Sequence, residues 1–207
     1  MRVVTRALEL AQQLRSSIAD ERVLAAIASI PRERFVSGLE RRRAYENVAL
    51  PIACGQTISQ PLVVARMLEL LDLRPEDRVL DVGTGSGYHA ALLSLLADHV
   101  FTIERHPELS ERAQRALGSL ELDNVTFLVG DGWLGLPEHS PFDAINVAAS
   151  VGEEVPRALE HQLALGGRLV APVGGAGQHL MLSVREPAGL RRVQLEPVRF
   201  VPLVHEQ

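Results

Sequence analysis

The run Arg78-Val79-Leu80-Asp81-Val82-Gly83-Thr84-Gly85-Ser86-Gly87-Tyr88 is a short apolar stretch that passes into a glycine-rich turn at the start of a helical pattern. Glycines at such a turn let the backbone approach a ligand closely, and the N–H groups of the helix start favour a polar or negative group. A loop that passes close to the pyrophosphate of a dinucleotide wants G-x-G-x-x-G; here the third glycine, Gly87, comes one residue early and Tyr88 stands where it should be. Asp81, at the end of the first strand of the pattern, would repel a pyrophosphate and suits a ligand with a positive amino group. Glu104, 21 residues beyond Gly83, ends the second strand, well placed to accept both hydroxyls of a ribose. Asp131, in Gly130-Asp131-Gly132, ends the third. Each acid alone is more often a solvated or capping carboxylate. Three at successive strand ends face the crevice where open parallel sheets bind ligands. A cationic nucleoside fits that crevice better than an anionic dinucleotide, and S-adenosylmethionine, with its sulfonium, amino acid, ribose and adenine and no phosphate, is the cofactor expected.

Composition narrows the chemistry further. All 21 basic side chains of the 207-residue chain are arginine, so a P-loop lysine, a pyridoxal Schiff base and a Ser/Lys hydrolase are excluded. G-x-S-x-G, the nucleophile elbow of hydrolases, is absent as well. Twenty-six acids give a net charge of -5, which carries no general nucleic-acid footprint. The single cysteine, Cys54, cannot form an internal disulfide, and the seven histidines make no zinc spacing, so no metal is expected. No apolar run is long enough to span a bilayer. These points together predict a cytoplasmic protein acting on small molecules or exposed peptide, without nucleic acid or membrane as partner.

The elements that must position these residues follow from periodicity. Residues 3–36 read as two helices, with Asp20 as an N-cap, and residues 38–60 as a long irregular loop of the kind that carries function. Pro61 opens a helix that runs to Leu73. Strands are expected at 79–82, 100–103, 125–129, 142–148 and 167–173, alternating with helices at 88–97, 107–117 and 154–165. That alternation predicts an α/β, Rossmann-like fold with a mainly parallel sheet. The stretches 180–185 and 193–204 have no helix between them and should add antiparallel C-terminal strands. The chain thus divides into an N-terminal helical extension with an active-site loop, residues 1–60, and a cofactor-binding domain, residues 61–207, in one compact unit.

The glycine loop, the Glu104 strand end and Gly130-Asp131-Gly132-Trp133 resemble the motifs of class I methyltransferases. The upstream run Leu50-Pro51-Ile52-Ala53-Cys54-Gly55-Gln56-Thr57-Ile58-Ser59-Gln60-Pro61 resembles the signature of the protein-L-isoaspartate O-methyltransferase family, and the likeness extends from Pro31-Arg32-Glu33-Arg34-Phe35-Val36 to Val198-Arg199-Phe200-Val201-Pro202-Leu203. The resemblance implies methylation of the abnormal carboxylate of L-isoaspartyl residues in damaged peptides and unfolded segments. The ester then closes to a succinimide that can reopen to normal aspartate. It also implies a catalytic Ser59, a cofactor site formed by Gln56, Thr57, Ile58, Ser59, Asp81, Gly83, Thr84, Gly85, Ser86, Gly87, Glu104, Asp131 and Gly132, and a peptide wall from Ser59, Val201 and Leu203. A monomer is expected. A carboxylate is already ionised at pH 7, so such a transfer needs alignment and removal of water but no general base.

Without that resemblance, Ser59 before Pro61 reads as a helix N-cap, and Val201 to Leu203 as a plain terminal strand. Trp133 borders the adenine or packs in the core. Cys54 is expected as a small buried thiol, His89, where glutamine is common in bacterial members, as a lining of the helix start, and Ala148 stands where threonine is frequent. The competing readings are a nicotinamide oxidoreductase, which Tyr88 and Asp81 disfavour, a binding protein without turnover, and a methyltransferase for another carboxylate.

Overall fold

The computed structural model describes residues 2–205. Helices α1 (Arg2–Leu14) and α2 (Glu21–Ser29) open the chain, and the Asp20 side chain accepts the Arg22 N–H at the start of α2. Their apolar faces, including Leu10, Leu14, Leu24 and Ile27, are buried in the same core as Leu68 of α3 (Pro61–Leu71) and Ala91 of α4 (Tyr88–Ser94). The packing therefore has no seam at residue 60. The segment 38–60 is irregular as expected, except for a two-stranded hairpin of β1 (Leu50–Pro51) and β2 (Thr57–Ile58) around Cys54 and Gly55, both at positive φ. Strands of two residues leave no alternation for a sequence pattern to detect.

The main sheet contains β3 (Arg78–Val82), β4 (His99–Glu104), β5 (Val125–Val129), β6 (Phe142–Val147), β7 (Leu163–Val173), β8 (Gln178–Glu186) and β9 (Gly189–Val198), in the order β5-β4-β3-β6-β7-β8-β9. The first five are parallel, and β8 and β9 add antiparallel. This is the doubly wound arrangement the sequence predicts. Because the chain leaves β3 toward β4 on one side and returns as β6 on the other, the carboxyl ends of β3 and β6 flank the switch point where such sheets bind ligands. Helix α5 (Pro107–Gly118) follows β4, and Gly87 at the start of α4 lies so close to it that a Cβ would stand 2.8 Å from the Cβ of Ala113.

One helix is much shorter than its pattern. The expected helix at 154–165 is reduced to α6 (Arg157–His161), because β7 already begins at Leu163, which pairs with Phe142 before a bulge passes through Gly166 and Gly167 to Arg168 opposite Ala144. The Gln162 side chain holds the junction, accepting the Leu136 N–H and donating to the Leu134 and Ala158 carbonyls. The apolar residues there, Leu159 and Leu163, are buried in a core with Phe142 and Leu169 without forming a continuous helix.

Candidate active site

The cleft at the switch point gathers residues from six segments of the chain. Gln56, Thr57, Ile58 and Ser59 form one wall, with Tyr88 and His89 behind it; Gly83, Thr84, Gly85 and Ser86 form the other; Glu104 to His106 and Gly132 lie at the strand ends; Ala148, Ala149 and Val201 to Val204 complete the cleft. Twelve sequence-derived candidates meet here: Gln56, Thr57, Ile58, Ser59, Gly83, Thr84, Gly85, Ser86, Glu104, Gly132, Val201 and Leu203. Asp81, Gly87 and Asp131 do not line it.

Asp81 lies beneath the glycine loop rather than in the crevice. In the sheet it is in register with Thr102 on β4 and Asn146 on β6. In-register neighbours project from the same face, about 4.8 Å apart across each strand pair. Accordingly the Thr102 hydroxyl donates to Oδ2 at 2.8 Å and the Asn146 amide to Oδ1 at 2.7 Å. Thr102 spends its one proton on the carboxylate, so the 2.6 Å contact with Thr84 has the Thr84 hydroxyl as donor. The chain Thr84 to Thr102 to Asp81 pins the loop to the sheet. Burial pushes Asp81 up to about 6, the hydrogen bonds from Asn146 and Thr102 oppose the shift, and the charge on Glu104 adds to it. Gly87 is likewise a packing residue: φ of 87° and the contact with α5 call for glycine.

Glu104 is where the strand pattern placed it, almost fully buried at the cleft. Its Oε2 accepts the Gly85 N–H at 2.9 Å and its Oε1 the His106 N–H at 3.0 Å. Each oxygen retains a second lone pair. Most of the loop's N–H groups are used within the chain: Gly83 and Thr84 donate to the Ile103 carbonyl, Gly85 to Glu104, Gly87 to the Thr84 carbonyl and Tyr88 to the Ser86 hydroxyl. A pyrophosphate would require those donors. A ribose needs the acceptors that Glu104 offers, so the donor set fits a phosphate-free nucleoside cofactor.

Asp131 turns away to other partners. It accepts the Trp133 N–H at 2.9 Å, and its Oδ2 lies 2.5 Å from His205 Nδ1 near the end of the chain. Its carboxyl is held below the usual range: partial burial, which would raise it, is outweighed by these two hydrogen bonds and the charges of His205 and Arg105. Trp133 is half-buried and stacks on His205 at 5.4 Å between ring centroids. Across the cleft, the Val201 carbonyl and the Leu203 N–H both bond Ser150, so these two residues present side chains rather than those backbone groups to the opening.

Ser59 is no N-cap; Gln60 occupies that position of α3, with no side-chain capping bond. Cys54 is exposed, not buried. Arg32 was not singled out by the sequence, yet its guanidinium donates from Nη2 to the Ser59 carbonyl at 2.7 Å and from Nε to the Ala44 carbonyl at 2.8 Å. Its burial is the signal, and no periodicity reveals it.

A glycine loop pinned at a sheet switch point, an acid at the next strand end and no phosphate cradle define a class I, Rossmann-like methyltransferase. The comparisons with known proteins carry this further. The family model described as protein-L-isoaspartate(D-aspartate) O-methyltransferase matches residues 5–207, and the chain belongs to that family. It is 52% identical over 193 residues to the protein-L-isoaspartate O-methyltransferase of Aeromonas hydrophila, covering 93% of this chain and 94% of that one. A solved protein-L-isoaspartate O-methyltransferase superposes with a TM-score of 0.87 at 30% identity, over 95% of this chain and 65% of that longer one. A structure described as a protein-L-isoaspartate O-methyltransferase from Plasmodium falciparum in complex with S-adenosyl-L-homocysteine has a TM-score of 0.84 at 26% identity, over 96% and 98% of the two chains. The activity is that of the family: methyl transfer from S-adenosylmethionine to isoaspartyl carboxylates. No helix among the described residues is long and apolar enough to cross a membrane.

Proposed function

We propose that the two walls of the cleft divide this reaction between them, with Gly83 to Ser86 and Glu104 holding the cofactor and Ser59 orienting the acceptor. When bound, S-adenosylmethionine supplies a methyl group on a sulfonium, an electrophile that needs no activation by the protein. Glu104 accepts the ribose hydroxyls with its remaining lone pairs, and the loop, pinned through Thr84, Thr102 and Asp81, keeps Gly83, Thr84, Gly85 and Ser86 against the amino-acid portion. Gly132 borders the adenine end, and Asp131, outside the cleft lining, holds the turn beside it through the Trp133 N–H and His205.

Gln56, Thr57 and Ile58 bring Ser59 to the mouth on the β1–β2 hairpin, and the Ser59 hydroxyl donates to the acceptor carboxylate to aim one oxygen at the methyl group. Val201 and Leu203 shield the opposite side from water, which would otherwise solvate that carboxylate and slow its attack. The carboxylate arrives ionised, so the cleft needs no base. The observation that carries the reading is the convergence of Ser59, the glycine loop and Glu104 in one cleft. Its one free cysteine suits the reducing cytoplasm, where this reading has the chain acting as a monomer on flexible isoaspartyl segments of damaged proteins.

Methyl transfer from labelled cofactor to an isoaspartyl peptide, run beside its normal aspartyl twin, tests this. Base-labile label on the isoaspartyl peptide alone is expected; equal labelling of the two, or none, would overturn it.

A further inference from the structure

Three polar atoms behind the Ser59 wall are buried without a partner: Nη1 of Arg32, the hydroxyl of Tyr88 and Nε2 of His89. Arg32 is fully buried, and its guanidinium lies over the Tyr88 ring at 4.8 Å from the centroid. Its remaining hydrogen bonds go to the carbonyls of Ala44 and Ser59, which carry no charge. Among the described residues it forms no ion pair. Neighbouring groups do not neutralise it either. Burial, partly opposed by Arg32, pushes the Tyr88 phenol up to about 12, and burial with the Arg32 charge lowers His89 to about 4, so both are neutral at pH 7. Burial brings Arg32 itself down to about 10, which leaves it charged.

A buried cation without a counter-ion costs several kcal/mol and calls for a compensating role. The cleft poses an electrostatic problem that such a cation answers. Glu104 lies at it and Asp81 beneath it, which favours a sulfonium but repels a second carboxylate. Arg105, the arginine that lines the cleft, follows Glu104 at the end of β4. Arg32 lies on the other wall, one hydrogen bond from Ser59.

We infer that Arg32 is a positioning residue for the acceptor: it anchors the Ser59 segment by its carbonyl and gives that wall the positive charge that draws in an isoaspartyl carboxylate. This rests on the reading of Ser59 as the acceptor-side residue. The charge acts on binding rather than on the chemical step. As the methyl group transfers, the negative charge of the acceptor and the positive charge of the sulfonium cancel, so a nearby cation stabilises the bound carboxylate more than the transition state. Loss of the charge should therefore raise KM for the peptide and leave kcat unchanged or slightly higher.

Arg32→Gln and Arg32→Lys, assayed at saturating cofactor with an isoaspartyl peptide, separate charge from geometry. Peptide KM should rise about tenfold in Arg32→Gln, as expected for one charge at intermediate dielectric, and by less than about threefold in Arg32→Lys. Adenosylhomocysteine affinity, measured calorimetrically, should change less than about twofold in both. Unchanged KM in Arg32→Gln, equal KM increases in the two variants, or a parallel loss of adenosylhomocysteine binding would each overturn the inference. A measurement on the unaltered protein does not depend on the variants folding: the peptide with its acceptor carboxylate replaced by a carboxamide should bind about tenfold more weakly, and equal binding would overturn it. Ser59→Ala with unaltered kinetics would instead remove the Ser59 assignment and leave the effect of Arg32 on KM standing.

Discussion

The two walls of the cleft are built by opposite strategies. On the cofactor side, the loop from Gly83 to Gly87 is held by neighbours in the sheet, Thr102 and Asn146, which sit in register with Asp81 across the two adjacent strands. On the acceptor side, Ser59 is held by Arg32, 27 residues upstream, and faces residues from the far end of the chain. The first wall is a property of a strand-turn-helix unit and its sheet. The second exists only when the N-terminal helices, the hairpin and the tail are packed together. The buried ionisable groups differ in kind as well: an acid with its pKa raised lies under the first wall, and a histidine with its pKa lowered behind the second.

The largest expected effect breaks the first wall. Gly87→Ala places a Cβ 2.8 Å from Ala113 Cβ and 3.2 Å from its Cα, at a φ of 87°. It should destabilise the protein by about 3 kcal/mol or more in denaturant unfolding and abolish adenosylhomocysteine binding. A stability within about 0.5 kcal/mol of the parent would show that the loop is not packed as described.

The pH dependence of stability should separate the two walls by sign. Asp81 titrates near 6 in the folded state, above its unfolded value, so the folded state holds the extra proton and stability falls as pH rises from about 4 to 6. His89 titrates near 4, below its unfolded value near 6.5, so the unfolded state holds the extra proton and stability falls as pH drops from about 6.5 to 4. Relative to the parent, Asp81→Asn should therefore gain toward pH 7 and His89→Gln toward pH 4, each by on the order of 2 kcal/mol. Urea unfolding at a series of pH values reads both slopes, and slopes of the same sign would contradict the assignment.

Ser59→Ala sharpens the comparison on the acceptor side. Its kcat should fall about tenfold to a hundredfold, because the acceptor oxygen is no longer held in line with the methyl group, while adenosylhomocysteine affinity stays within about twofold. Glu104→Gln should do the reverse, weakening adenosylhomocysteine about tenfold with little change in peptide KM once cofactor is saturating. If both variants altered the same parameter, the two walls would not be functionally distinct. The smallest effect is expected at the tail. His205→Ala releases a partly exposed contact to Asp131 and should change adenosylhomocysteine affinity by less than about threefold in calorimetry.

Much of the first wall was legible because its signals are local. The apolar run 79–82, the early third glycine and the acid at the next strand end follow from spacing along one chain segment, and the structure puts β3, α4 and β4 at those places within a few residues. The direction in which an acid points was not legible. Asp81 and Glu104 both end strands, yet Asp81 alternates to the face shared with Thr102 and Asn146, whereas Glu104 meets the loop backbone. Asp131, expected at a strand end, lies two residues past β5 and caps the turn at Gly132, and its partner, His205, is 74 residues away.

Residue order alone determined the alternation of strands and helices, and with it the parallel sheet, its switch point and a turn too short of glycine for a pyrophosphate. Those features arise from hydrophobic periodicity and backbone sterics, which act within a few residues. Tertiary structure decided which polar groups are shielded from water and whom they meet. Arg32, which no local pattern marks, becomes a buried cation behind Ser59 only because helices, hairpin and α4 close around it. Desolvation and long-range pairing depend on the whole packed chain, and no local pattern encodes them.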